Sequence, residues 1–106
     1  MRPLDGKTFV AGQIFPADMA AIAAAGVTLI VNNRPDHEEP GQPDSAEIEA
    51  AARAAGLDYR YIPIGYTIGS DAAAAMAEAL GATEGKVLAF CRAGIRSTRL
   101  WMAAQQ

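Results

Sequence analysis

The sequence predicts an α/β fold of three layers, in which helices cover both faces of a parallel β-sheet. Strand-like and helix-like segments alternate along the chain, and a helical crossover is the usual connection between parallel strands. Residues 86–90 form a short apolar run without polar alternation, which is typical of a strand covered on both faces, and residues 27–31 are rich in the β-branched residues that favour strands. Together these observations predict right-handed crossovers and a sheet with helices on its faces.

Composition and charge indicate an ordinary globular protein with one domain over residues 1–106. The net charge of −3 and a pI near 5.0 argue against nucleic acid as the main partner. One cysteine and one histidine exclude an internal disulfide and leave no metal cluster, and no cofactor is expected. No apolar run reaches the length of a membrane span, and residues 1–9 lack a signal peptide's apolar core. We therefore expect a cytoplasmic protein.

The first half of the chain predicts two strands and one helix. Residues 7–10 form a short first strand. A helix starts at or near Pro16 and stops at Gly26, because proline suits the first helical turn and glycine commonly follows the last one. Residues 27–31 are the second strand, and the loop at residues 34–43 has too much proline and glycine for regular structure.

The second half of the chain predicts two more strands and the helix that precedes each of them. A capping motif at Asp44 begins a helix that ends at Gly56. Residues 57–64 form the third strand, whose tyrosines and proline indicate an exposed or edge portion. Ser70 caps an alanine-rich helix over residues 71–80, and a glycine-bounded turn leads into the last strand.

The loop after the last strand holds the predicted functional site. It runs from Cys91 to Arg96 and leads into a helix that starts at Ser97. Such a loop is an anion cradle, because backbone N–H groups point inward, the helix dipole favours negative charge and Gly94 lets the chain curl. We expect Cys91 to be an activated thiolate nucleophile, Arg96 a two-pronged oxyanion clamp and Ser97 a donor to the sulfur. The residues expected to line the anion are Arg92, Ala93, Gly94 and Ile95.

The alternative interpretation of Cys91 is an inert core thiol. Free cysteine is among the most buried residue types, and a lone cysteine after an apolar strand is usually part of the core. Here Gly94, Arg96 and Ser97 follow at the spacing of an anion loop, and two arginines beside a buried thiol would have no structural purpose. The residues therefore favour the reactive interpretation.

Four segments that follow strands should gather at one end of the sheet. Ligands of parallel sheets bind beyond the carboxyl ends of the strands, so polar groups in these segments would meet there. The segments are Gln13 and residues 34–42, 65–69 and 91–96.

Several segments together resemble a known family. The sequence is similar to the phosphatase-like domain of beta-lactamase hydrolase-like proteins, a domain of unknown function also named as a phosphatase or sulfur transferase. The resemblance covers nearly the whole chain. It is carried by residues 10–13, 33–36, 38–43 and 91–97.

The resemblance implies the fold of the cysteine-based tyrosine and dual-specificity phosphatases. In that superfamily the cysteine is the nucleophile, and the loop amides and an arginine hold the oxyanion; these roles carry over to Cys91 and Arg96. The family continues beyond a Leu-Trp helix like that at Leu100 and Trp101. The resemblance therefore implies either a short final helix or a missing terminal piece.

Two departures from the phosphatase pattern bear on the reaction. Only four residues separate Cys91 from Arg96, as in many rhodanese-type sulfurtransferases, whereas phosphatases of this fold have five. The tighter loop suits a single sulfur atom held as a persulfide. The loop at residues 65–69 also lacks the carboxylic acid that protonates a leaving oxygen. Asp71 follows this loop, but we expect it to belong to a helix first turn rather than to act as the acid.

The opposite rim of the site offers further candidates. Asp36 and its neighbours up to Glu39 could supply an acid or base, although acids in a solvated loop are more often plain surface groups. The same holds for His37. Arg34 either widens the positive rim or pairs with a neighbouring acid, and pairing is the commoner outcome.

Three functions remain open. Sulfur transfer through a Cys91 persulfide is favoured by the short loop and the missing acid. Phosphate-ester hydrolysis through a Cys91 thiophosphate is favoured by the resemblance, and a non-catalytic anion-binding module is disfavoured by the intact Cys91–Arg96 pair. The expected substrate is accordingly a small anionic or sulfur-bearing molecule or a phosphoester.

Overall fold

Five strands form one sheet, and the strand that leads into the Cys91 loop lies at its centre. The computed structural model describes residues 1–106. The strands are β1 (Arg2–Pro3), β2 (Thr8–Ala11), β3 (Val27–Asn32), β4 (Asp58–Tyr61) and β5 (Lys86–Phe90). They lie in the spatial order β1-β2-β5-β3-β4, and every pairing is parallel except that of β1 with β2.

Four α-helices connect or follow these strands. A 3₁₀ turn at Pro16–Asp18 precedes the first of them, so the chain enters that helix at the predicted proline. None of the helices has the length and apolar character needed to cross a membrane. They are α1 (Met19–Ala24), α2 (Ser45–Ala54), α3 (Ser70–Gly81) and α4 (Ile95–Ala104).

Two hydrophobic cores, one on each face of the sheet, confirm the three-layer prediction. On β3, Ile30 packs into the core under α1 and α2, whereas its neighbours Leu29 and Val31 pack on the face of α3 and α4. Strand β5 alternates in the same way, with Leu88 on the first face and Ala89 on the second. Both central strands are apolar on both faces because helices cover each face.

The sequence predicted most element boundaries closely but missed the N-terminal hairpin. Strand β2 lies one residue later than predicted, and the two-residue β1 was not predicted at all. A strand of two exposed residues has no apolar alternation by which a sequence could indicate it. Strand β4 covers only Asp58–Tyr61 of the predicted residues 57–64, and its edge position is confirmed, since it is the last strand of the sheet.

Two helix starts differ from the prediction. Gly69 is the N-cap of α3, so Ser70 is the first helical residue rather than the cap. Helix α4 begins at Ile95 instead of Ser97, because Gly94 adopts a φ of 89° and serves as the N-cap. Arg96 and Ser97 therefore lie in the first turn of α4, and both are buried.

Candidate active site

The loop from β5 to α4 is fixed against the end of β2. The N–H of Cys91 donates to the carbonyl of Ala11 at 3.4 Å, and the N–H of Gln13 donates to the carbonyl of Arg92 at 3.2 Å. Gly12 permits this approach, because a Cβ at that position would lie 3.0 Å from the carbonyl oxygen of Arg92. The turn that presents the cysteine is thus built by two neighbouring strands.

The sulfur of Cys91 faces the first turn of α4. The N–H of Gly94 donates to Sγ at 3.1 Å, and the residue is 1% exposed. The hydroxyl of Ser97 is buried and makes no hydrogen bond in the structure. It is nevertheless one of the groups that lower the pKa of the Cys91 thiol, so it is the side chain placed to donate to the thiolate.

The pKa of Cys91 is lowered from its ordinary value. Burial by itself raises the pKa, but the N–H and hydroxyl of Ser97 and the N–H groups of Ala93 and Gly94 stabilise the thiolate and outweigh burial. This is the ionisation that a nucleophilic cysteine requires.

Alkylation of Cys91 by iodoacetamide should therefore have a pH midpoint below the value of about 8.5 for a free thiol. Cys91 is the chain's single cysteine, so total alkylation reports on it alone. Because the folded pKa is the lower one, thiolate formation stabilises the fold above the unfolded pKa, and this contribution disappears as pH falls through the folded pKa. A midpoint at or above the free-thiol value would contradict an activated thiolate.

Arg96 holds a carboxylate of the protein itself. Its Nη1 donates to Oε2 of Glu38 at 2.7 Å and its Nη2 donates to Oε1 of Glu38 at 2.8 Å, which is a two-pronged pair. Nη1 also donates to the carbonyl of Ile64 at 3.0 Å. Hydrogen bonding to Arg96 outweighs the opposing effect of burial and, together with Arg34, lowers the pKa of Glu38 to about 2.

A second buried arginine supports the same carboxylate. Arg34 is 2% exposed, and its guanidinium donates to Glu38 at 2.9 Å, to Glu39 at 2.8 Å and to Gln13 at 2.9 Å. Of the two outcomes considered for Arg34, pairing with neighbouring acids is the one observed. Arg92 points outward with a side chain that is 67% exposed, and its Nε lies 3.6 Å from Glu39.

Two adjoining cavities open at this end of the sheet. Tyr66, which is 84% exposed, borders both, and the centroid of its ring lies 5.9 Å from Cζ of Arg96. The first cavity, of about 270 Å³, is lined by Arg34, Glu38, Glu39, Tyr66, Arg92 and Arg96. The second, of about 220 Å³, is lined by Tyr66, Cys91, Arg92, Ala93, Ile95, Arg96 and Arg99.

The four segments expected to gather at one end of the sheet do so. Gln13 contacts Arg34, the loop containing Glu38 contacts Arg96, and Tyr66 of the 65–69 loop lies over Arg96. The direction of the strands explains this, because β2, β3, β4 and β5 are parallel and end on the same side of the sheet.

The other rim candidates lie apart from the two cavities. The side chain of Asp36 accepts from the N–H of Ser45 at 2.8 Å and so anchors the start of α2. His37 is exposed and takes a φ of 66°, and Asp71 lies in the first turn of α3 as expected. No group of three or more histidine, cysteine, aspartate or glutamate residues is arranged to hold a metal ion.

Sequence reasoning missed the pairing of Glu38 with Arg96 and the position of Tyr66. Glu38 belonged to the acidic cluster considered for acid–base chemistry, but nothing in that loop distinguished it from its neighbours. The signal that could have found them is the strand order. The loop with Glu38 and the loop with Tyr66 follow β3 and β4, which lie on the same side of β5 in the sheet.

Comparison with known proteins gives one family over the whole chain. The family described as beta-lactamase hydrolase-like protein, phosphatase-like domain, matches residues 1–106. A "Beta-lactamase hydrolase-like protein" of Agrobacterium fabrum is 40% identical over 96% of this chain and 24% of its own length. One of Xylella fastidiosa is 38% identical with the same coverage. The chain thus spans about a quarter of the length of these relatives.

Solved structures give the same fold. A "putative phosphatase" of Neisseria meningitidis has a TM-score of 0.86 and 35% identity, over 93% of this chain and 71% of that one. A "Putative phosphatase (DUF442)" of Shewanella putrefaciens has a TM-score of 0.81 and 25% identity, over 93% and 62%. A mutant form of Tk-PTP, at 19% identity and a TM-score of 0.67 over 88% and 61%, is similar in fold alone.

Proposed function

This chain belongs to the family of the beta-lactamase hydrolase-like protein, phosphatase-like domain, and we propose that it is a sulfurtransferase. Cys91 accepts a sulfane sulfur from a donor and carries it as a persulfide. The fold is that of a cysteine phosphatase-like protein.

A phosphatase needs an arginine free to hold the phosphoryl group and an acid that protonates the leaving oxygen, and here neither group is available. The Nη1–Nη2 edge of Arg96 is filled by Glu38, and the pKa of Glu38, at about 2, leaves this carboxyl without a proton to give at neutral pH. Neither Asp nor Glu occurs at residues 65–69. Sulfur transfer needs no acid for an alcohol leaving group and no clamp on a phosphoryl group.

The transfer step needs only the thiolate and the cradle around it. The Cys91 thiolate attacks the outer sulfur of a donor R–S–S⁻, the donor's S–S bond breaks, and R–S⁻ leaves with the electron pair. The new bond joins Sγ to the transferred sulfur, whose negative charge replaces that of the thiolate near the N–H groups of α4. An acceptor thiolate then attacks the outer sulfur and regenerates Cys91.

Phosphate-ester hydrolysis is the second candidate. It is supported by the likeness to proteins described as phosphatases and by a thiolate placed at a helix N-terminus. Its intermediate would be a Cys91 thiophosphate, and Glu38 would have to leave Arg96 before a phosphoryl group could take that position.

One assay series separates these functions and the non-catalytic alternative. Thiosulfate, an organic persulfide and an aryl phosphate are offered in parallel to the wild type and to Cys91→Ser. We expect Cys91-dependent consumption of a sulfur donor and aryl phosphate turnover at the background rate. Cys91-dependent phosphate release without sulfur transfer would establish the phosphatase, and inertness toward all three would leave an anion-binding module.

A further inference from the structure

The clamp that would hold an oxyanion beside Cys91 is already filled. Glu38 offers Arg96 two oxygens at 2.7 and 2.8 Å, which is the planar arrangement that an incoming phosphate or sulfonate would have to reproduce. A tetrahedral anion can use this edge of the guanidinium only after the carboxylate has left it.

Glu38 is held in place by more than Arg96. Its Oε1 also accepts from Nε of Arg34 at 2.9 Å, and Arg34 is 2% exposed and pinned by Gln13 and Glu39. Displacing the carboxylate would leave two largely buried guanidinium groups without this partner, which is costly. The carboxylate is therefore a stable part of the site.

The charges around the two cavities largely cancel. Four guanidinium groups face two carboxylates and the thiolate, so a dianion meets a net charge of only one positive there. The two exposed arginines, Arg92 and Arg99, lie at the rim of the cysteine cavity.

We propose that Glu38 is a specificity-determining residue that occupies the Arg96 clamp and excludes small tetrahedral oxyanions from Cys91. Within the proposed function, on which this refinement rests, the favoured donor is an organic persulfide, whose reacting sulfur carries no oxyanion. Thiosulfate, in which that sulfur is bonded to a sulfonate, is the disfavoured donor.

The test measures anion binding without requiring any catalysis. Inorganic phosphate or sulfate is titrated against the rate at which iodoacetamide alkylates Cys91, in the wild type and in Glu38→Gln. Charge-assisted hydrogen bonds contribute about 1.5–3 kcal/mol, so we expect phosphate to protect Glu38→Gln at about 10- to 100-fold lower concentration than the wild type. Transfer from thiosulfate relative to the organic persulfide should rise in the same variant.

Glu39→Gln is the matched control, because Glu39 contacts Arg34 and Arg92 but not Arg96. It should leave phosphate protection within about threefold of the wild type, since the clamp stays filled. Equal protection of the wild type and Glu38→Gln would overturn the proposal, as would strong protection of the wild type by micromolar phosphate. The second result decides the question even if Glu38→Gln does not fold. Failure of sulfur transfer would not alter the outcome of the protection experiment, so the two proposals fail separately.

Discussion

Replacing Cys91 by serine should abolish sulfur transfer, with a loss of at least about 10³-fold in rate. A serine hydroxyl stays protonated at neutral pH and cannot hold a sulfane sulfur as a persulfide. The substitution keeps the size of a side chain that is 1% exposed, so the fold should survive it. Rates measured with an organic persulfide donor, alongside a thermal unfolding curve, check both expectations.

Ser97→Ala provides the comparison for this result. It removes a buried hydroxyl that lowers the pKa of Cys91 but leaves the nucleophile and the backbone N–H groups in place. We expect the pH midpoint of alkylation to rise and transfer near neutral pH to fall by roughly 3- to 30-fold, the size of one hydrogen bond. If Cys91→Ser lost no more than Ser97→Ala, the cysteine would not be the sulfur carrier.

Arg96→Lys should cause the second largest loss, about 10- to 100-fold in transfer rate. Lysine keeps the charge but cannot pair with both oxygens of Glu38 while also reaching the carbonyl of Ile64. These contacts tie the first turn of α4 to two neighbouring loops, and the N–H of Ser97 in that turn and the N–H of Gly94 just before it both face Sγ. Thermal stability should fall as well, because the two-pronged ion pair between the buried Arg96 and the partly exposed Glu38 is lost.

Arg92→Lys is the matched control for charge. The Arg92 side chain is 67% exposed and lies 3.6 Å from its only ionic partner, a distance at which the shape of the cation matters little. We expect the transfer rate and the equilibrium constant for unfolding to stay within about twofold of the wild type. Equal losses in the two variants would show that positive charge alone suffices, or that the clamp belongs to Arg92.

The fold followed from the sequence because the signals were local. A β-branched run marked β3 and an apolar run marked β5, and Gly26 and Gly56 marked two helix ends, with φ values of 93° and 82°. The start of α4 was placed two residues late, because the conformation of Gly94 depends on how the loop closes. Helical pattern alone does not register a cap of this kind.

The chemistry around Cys91 was only partly predictable. The loop from Cys91 to Arg96 indicated a thiolate cradle, since glycine and a helix N-terminus are local features. The partner of Arg96 comes from a proline-rich loop 58 residues earlier, in which His37 at a φ of 66° turns the chain just before Glu38. No periodicity specifies such a loop, so this contact required the folded chain.

The mass of the protein after a single exposure to an organic persulfide shows whether Cys91 carries sulfur. We predict that the wild type gains the mass of one sulfur atom on Cys91, that Cys91→Ser gains none, and that an added thiol removes the extra sulfur. Unchanged mass on Cys91, together with Cys91-dependent release of phosphate from an aryl phosphate, would contradict this prediction.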